Sequence, residues 1–227
     1  MHGYIQDNLK RVSERIEAAA LRSGRIPQEI RLVVVTKTVS LNMVKEAIEA
    51  GAENIGENYI QEATDKIKGI GKTVKWHFIG HLQRRKAREC IELFDLLHSL
   101  DSYKLAIELD KRGKEKGKKV RALLQLNLSE EDSKGGVKKE DAIPIALKIM
   151  ELKNISLEGL MTLPPFLGPE AVRPFFTRLR FLRDKISNET GAPLKELSMG
   201  MSNDFEVAIE EGATMLRVGT AIFGPRR

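Results

Sequence analysis

The stretch "RLVVVTKTVSLNMVKEAIEAG", residues 31–51, holds one complete unit of a fold. Its opening residues are mostly aliphatic and β-branched, as suits a strand covered on both faces. Ser40 stands where a helix cap belongs, an amphipathic pattern follows, and Gly51 ends it. Between strand and helix sits Lys37. An ammonium at the end of a buried strand is costly unless it is paired, neutralised or used. Where that strand ends therefore decides what the lysine is for.

The same unit recurs along the chain. Short apolar or β-rich runs fall near 31–36, 53–57, 75–79, 95–99, 120–127, 157–162, 194–198 and 213–218, with helical patterns between them. Ser102 and Ser202 or Asn203 are further candidate caps, and Gly69, Gly117 and Gly212 are further candidate helix ends. Strands alternating with helices in this number predict an α/β fold, a parallel (β/α)8 TIM barrel. An open doubly wound sheet is the competing architecture. Residues 3–23 form an amphipathic helix ahead of the first strand, an extra element expected to pack on a barrel spanning about 30–225. No linker or low-complexity tract divides the chain, so residues 1–227 read as a single domain.

Composition narrows the function classes. Hydrophobic residues make up 41% and charged residues 31%, the balance of a soluble globular chain. Against 32 acidic residues stand 38 lysines and arginines, a formal charge of +6. Much of that excess falls on solvated helix faces such as "KRGKEKGKK" (111–119), so nucleic acid is not the expected partner. Cys90 is the single cysteine, which excludes an intrachain disulfide, and it lies in a helical pattern. No apolar run approaches the ~20 residues a bilayer span needs. The N-terminal pattern contains acids and lacks a signal peptide's apolar core. A cytoplasmic location with no membrane partner is the expectation.

In a parallel barrel, chemistry gathers at the C-terminal ends of the strands. That places Lys37 at the mouth, with Glu57, Asn58 and Tyr59 after the second strand and His77 or His81 at the third. The seventh and eighth strands run into "LSMGMSNDF" (197–205) and "LRVGTAIFG" (216–224). Small residues and hydroxyls there are where barrels commonly bind phosphate, at backbone N–H groups opening a helix. Ser198, Gly200, Ser202, Gly219 and Thr220 fit that role, with Arg217 as a nearby cation. A lysine amine facing a phosphate cradle points to pyridoxal phosphate held as a Schiff base, or to an aldolase-type lysine acting on a sugar phosphate. His77 and His81 are four apart, but Gly80 and the change from strand to helix break any shared face, so no metal site is expected. Arg84, Arg85, Lys86 and Arg88 read as a solvated helix face, and "DSKGGV" (132–137) reads as a turn or a loop able to gate the mouth.

The motifs "VVVTKTVS", "IGENYIQEA", "WHFIGHLQRRK", "LEGLMTLPP" and "LSMGMSNDFEVAIEEGATMLRVGTAIFG" together resemble the pyridoxal-phosphate homeostasis protein family, the YggS/PROSC-like proteins. They occur in order from about residue 31 to 224. The resemblance implies a barrel similar to the N-terminal domain of alanine racemase, with pyridoxal phosphate on Lys37. It implies Ser198, Ser202, Gly219 and Thr220 around the phosphate, Arg217 near the ring nitrogen or the phosphate, and Asn58 and Met199 lining the pocket more loosely. It also implies a regulator or carrier of the cofactor without established catalysis, and the expected partners are apo-enzymes needing the cofactor, with a monomer as the expected state.

A racemase-like enzyme on the same site is the alternative. Racemisation requires a proton donor and acceptor on opposite faces of the reacting carbon. Lys37 could serve one face. Of the three tyrosines, Tyr4, Tyr59 and Tyr103, only Tyr59 falls near the mouth, which favours the carrier.

Overall fold

The structure, a computed structural model, describes residues 3–129 and 135–225. Its strands are β1 (Arg31–Val35), β2 (Asn54–Glu57), β3 (Lys75–Phe78), β4 (Leu96–Leu100), β5 (Val120–Asn127), β6 (Val137–Lys138), β7 (Ile155–Thr162), β8 (Glu196–Ser198) and β9 (Met215–Val218). The sheet runs β4-β3-β2-β1-β9-β8-β7-β5, and a β4–β5 pairing closes it into an eight-stranded parallel barrel. The sequence pattern did not anticipate β6, which adds two residues to the end of β5 opposite Leu126 and Asn127. Of the "DSKGGV" turn, residues 132–134 lie outside the described residues.

Alternation along each strand sorts side chains to the two faces. In β3, Trp76 and Phe78 join the large core between strands and helices, while His77 between them belongs to the barrel interior. Val33, Leu96, Leu123, Met161 and Met215 form a separate cluster that fills the interior. Both faces of the sheet are therefore dry, as the unbroken aliphatic run of β1 requires.

The helices are α1 (Tyr4–Arg22), α2 (Leu41–Glu49), α3 (Ile60–Ile70), α4 (Ala87–Leu93), α5 (Tyr103–Lys116), α6 (Ala142–Met150), α7 (Pro169–Thr190), α8 (Phe205–Glu210) and α9 (Thr220–Phe223). Ser40 and Ser102 cap α2 and α5, their hydroxyls accepting from Met43 N and Leu105 N. Gly117 ends α5 in the left-handed conformation. Gly69 does not end α3. It lies inside the helix, where a Cβ would come within 2.7 Å of Leu41 Cδ2, and Gly71 ends the helix instead. Neither Ser202 nor Asn203 caps α8; Asp204 holds that position.

Helix α1 is more than an addition to the barrel. The helix following the last strand, α9, is a single turn, and α1 packs against α8, α9 and α2 to complete the outer ring. Asn8 Nδ2 donates to Ile222 O at 2.8 Å, and Arg25 Nη1, just past α1, donates to Ile209 O and Ala213 O at 2.9 and 2.7 Å. Among the described residues no helix is long and apolar enough to cross a membrane.

Gly159 shows how tightly the ring closes. It pairs with Glu196 across β7 and β8, and a Cβ there would lie 2.6 Å from the Glu196 carbonyl carbon, closer still to its oxygen. The obstacle is backbone and cannot rotate away. Gly159→Ala should therefore lower stability by about 3 kcal/mol, read as a lower denaturant midpoint with an unchanged m-value. A midpoint equal to the parent's would show that the β7–β8 contact yields.

Candidate functional site

A cavity of about 420 Å³ opens at the C-terminal ends of the strands. Lys37, Asn58, Ser202, Arg217, Gly219 and Thr220 all line it. Val35 and Ile79 give it an apolar wall, and the loop after β7 brings Leu163, Pro165, Phe166 and Leu167 to its rim. Ser198 and Met199 are not brought to its surface. Both are fully buried, Ser198 within the barrel and Met199 in the core outside it. That split follows from strand alternation, which sends consecutive residues to opposite faces.

Lys37 rides on a turn built by its neighbours. Thr36 N donates to Gly56 O at 3.0 Å, extending the β1–β2 ladder by one residue, and Val39 N donates to Thr36 O at 3.0 Å. Thr38 has a φ of 61°, the left-handed region that a β-branched residue enters at a cost, and its N donates to Glu62 Oε1 at 2.6 Å. Beneath the turn lies Lys66, buried on α3. Its Nζ donates to Thr36 O (2.5 Å), Glu57 Oε1 (2.6 Å) and Glu62 Oε1 (2.6 Å). Thr36 Oγ1 also donates to Glu57 Oε1, at 2.5 Å. Burial raises the Glu57 carboxyl above the usual range, and the bonds from Lys66 and Thr36 pull it partly back.

This clamp is only half visible in the sequence. Glu57 stands at a strand end and reads as a mouth residue. Lys66 lies on a helix whose other lysine, Lys68, is exposed, so nothing local distinguishes it. The usable signal is its spacing: four residues after Glu62 and three after the buried Ala63, it points inward.

Arg217 is the second basic group of the cavity and is almost wholly buried. Its Nη1 donates to Ser198 Oγ at 2.6 Å and its Nη2 to Thr162 O at 2.8 Å. Burial pulls the guanidinium down to about 10, with the nearby Asp204 carboxylate opposing the shift. Asp204 also lines the cavity, and its Oδ1 accepts from Met201 N at 2.6 Å, closing the loop after β8. Burial raises the Asp204 carboxyl, while the Met201 bond and Arg217 hold it down. Ser202 Oγ accepts from Ala221 N at 3.2 Å, which ties the β8 and β9 loops together. Gly200 makes that loop possible. Its φ is +92°, and a Cβ would meet Ala208 Cβ at 2.7 Å.

Asn58 lines the cavity, and its Oδ1 is buried without a hydrogen-bond partner among the described residues. Such an atom is expensive to leave unsatisfied. Among the described residues, the charged side chains lining the cavity are Lys37, Arg217 and Asp204.

The remaining sequence candidates lie elsewhere. Tyr59 is exposed at the start of α3 and does not line the cavity. His77 and His81 are not brought together: His77 is inside the barrel, while His81 is exposed, 3.1 Å from Asp101. Cys90 is buried, and burial raises its thiol far above the ordinary range. In the basic cluster, Lys86 and Arg88 pair with Glu89 and Glu92 of their own helical turn.

The chain matches the family described as alanine racemase, N-terminal domain, over residues 5–227. It is 42% identical to the pyridoxal phosphate homeostasis protein of Aquifex aeolicus over 223 residues, covering 97% of this chain and 98% of that one. The protein of the same name from Escherichia coli K12 is 41% identical, covering 98% and 97% of the two chains. Among solved structures, PipY of Synechococcus elongatus PCC7942 with PLP bound superposes with a TM-score of 0.84 at 34% identity, covering 94% of this chain and all (100%) of that one. Barrel, mouth cavity and relatives agree, and the chain belongs to the alanine racemase N-terminal-domain family, among the pyridoxal phosphate homeostasis proteins.

Proposed function

We propose that this protein binds pyridoxal 5'-phosphate as a Schiff base on Lys37 and serves in cofactor homeostasis as a carrier rather than a catalyst. One observation carries the reading: Lys37 lines the same cavity as Arg217, Ser202, Gly219 and Thr220. PipY, similar over nearly its whole length, is known with PLP bound. The buried guanidinium of Arg217, whose remaining N–H groups can donate, suits an anionic ligand.

Bound pyridoxal phosphate supplies an aldehyde that condenses with amines and a ring that can accept electrons. Lys37, lining the cavity from the turn after β1, would supply the amine for that condensation. Ser202, Gly219 and Thr220 would hold the phosphate. Arg217, which can only donate hydrogen bonds, would serve either the phosphate or the ring nitrogen. At the ring nitrogen it would keep that atom unprotonated and weaken the ring as an electron sink. The clamp of Lys66, Glu57 and Glu62 holds Thr36 and Thr38, so the Lys37 backbone cannot drift from the mouth. The setting is the cytoplasm, the state a monomer, and the recipients apo-enzymes that need the cofactor.

Racemisation is the second reading. Besides Lys37 and Arg217, Asp204 is the titratable side chain lining the cavity among the described residues, and one of its oxygens is committed to Met201 N. A positioned acid on the second face is not apparent there, which favours the carrier.

The first test is the visible absorption of the protein after incubation with pyridoxal phosphate and dialysis. A yellow band should form in the parent and be lost in Lys37→Ala; a colourless parent would sink the reading. Alanine racemisation should run far below ~1 s⁻¹, and turnover at ordinary enzyme rates of ~1–10³ s⁻¹ would make the protein an enzyme. Lys66→Met leaves Glu57 and Glu62 without their shared cation. It should cost roughly 3–5 kcal/mol in denaturant unfolding and slow cofactor uptake measured by the same band. Unchanged uptake would mean that the clamp does not position Lys37.

A further inference from the structure

Behind Arg217 a chain of polar side chains runs into the barrel. His77 Nε2 lies 3.1 Å from Asn54 Oδ1, and His77 Nδ1 lies 2.9 Å from His98 Nε2. His98 Nδ1 lies 2.8 Å from Ser198 Oγ, which accepts from Arg217 Nη1 at 2.6 Å. The chain thus links β2, β3, β4, β8 and β9. Because β4 and β8 do not pair, its His98–Ser198 bond crosses the barrel interior.

The direction of each bond follows from chemistry. Arginine only donates, so Ser198 Oγ accepts from Arg217 and turns its own hydrogen toward His98 Nδ1. A neutral His98 accepting there carries its proton on Nε2 and donates to His77 Nδ1. By the same logic His77 carries its proton on Nε2 and donates to the Asn54 carbonyl oxygen. Every member is satisfied, and every bond points away from Arg217. Burial supports two neutral rings, pulling His77 down to about 4 and His98 well below its ordinary value.

We propose that His98 and His77 are positioning residues, which through Ser198 lock the Arg217 guanidinium in one orientation toward the cavity. The acceptor they provide is a neutral hydroxyl rather than a carboxylate. Arg217 is therefore held without an ion pair to its acceptor, and its charge and remaining N–H groups stay available to an anionic ligand. Naming that ligand as pyridoxal phosphate rests on the function proposed above, whereas the chain itself does not.

Long-range proton–nitrogen spectra of the ligand-free protein near neutral pH test the chain directly. Both buried rings should be neutral and protonated on Nε2, and the His98 Nδ1 resonance should move in Ser198→Ala. A doubly protonated ring, or a proton on His98 Nδ1, would overturn the proposal. For the positioning role, pyridoxal phosphate affinity is measured by absorbance titration of Ser198→Ala and His98→Phe. Each should weaken binding about tenfold and shift the bound cofactor's absorption maximum, with exposed His81→Gln as the unchanged control. Because the two act through one arginine, the double variant should bind no more weakly than the weaker single variant. Additive losses, or none, would overturn the role. If the parent takes up no cofactor at all, the cofactor reading fails, and the ring spectra alone test the chain. Should His98→Phe not fold, the Ser198→Ala titration and the parent's spectra decide between the same outcomes.

Discussion

The pairing of the first strand with the last, β1 with β9, is the constraint on which everything at the mouth depends. The pairing aligns Val33 with Arg217 and Val34 with Val218, although these residues stand far apart in the chain. With that register set, the turn carrying Lys37 emerges beside Gly219 and Thr220, and the two lie in one cavity. A slip of one residue would turn Arg217 outward into the core, because strand side chains alternate. The aliphatic residues of β1 and the interior cluster of Val33, Leu96, Leu123, Met161 and Met215 oppose such a slip, since it would exchange every inner residue for an outer one.

Around this frame the protein buries charge in two different ways. At Lys66 it gathers two carboxylates and a carbonyl about one ammonium, an arrangement that defines geometry more than it adds stability. At Arg217 the hydrogen-bond acceptors are neutral, a hydroxyl and a carbonyl, with Asp204 nearby but making no direct bond to it. The first solution spends its charge internally and fixes a backbone turn. The second leaves a cation available to the cavity. Lys37 stands between the two, and the carrier reading asks only that its amine be held within reach of an aldehyde.

Much of the fold could be read along the chain because its cues are local. Aliphatic runs, the caps at Ser40 and Ser102 and the left-handed glycine at 117 each act within a few residues. The pattern misleads where a local cue has two physical meanings. Gly69 looks like a helix end but relieves contact with Leu41, and Ser202 looks like a cap but binds a neighbouring loop. The two-residue β6 carries too short a pattern to announce itself. At the mouth, six candidate residues converge on the cavity, while Ser198 turns inward to hold Arg217. Ser198 ends β8 facing the barrel interior, and Met199, the next residue, turns into the core outside it.

By itself the sequence determined the order and kind of the elements and the position of Lys37 at a strand end, because hydrophobic period and capping chemistry are local. The motifs shared along nearly the whole chain carried the family. Only the tertiary structure decided that Lys66 would be buried beneath that lysine, and that His77 would meet His98 rather than His81. It also decided that Ser198 would face an arginine instead of the cavity. Those outcomes depend on which strands become neighbours and which residues meet across the barrel, and spacing along one strand contains no information about either.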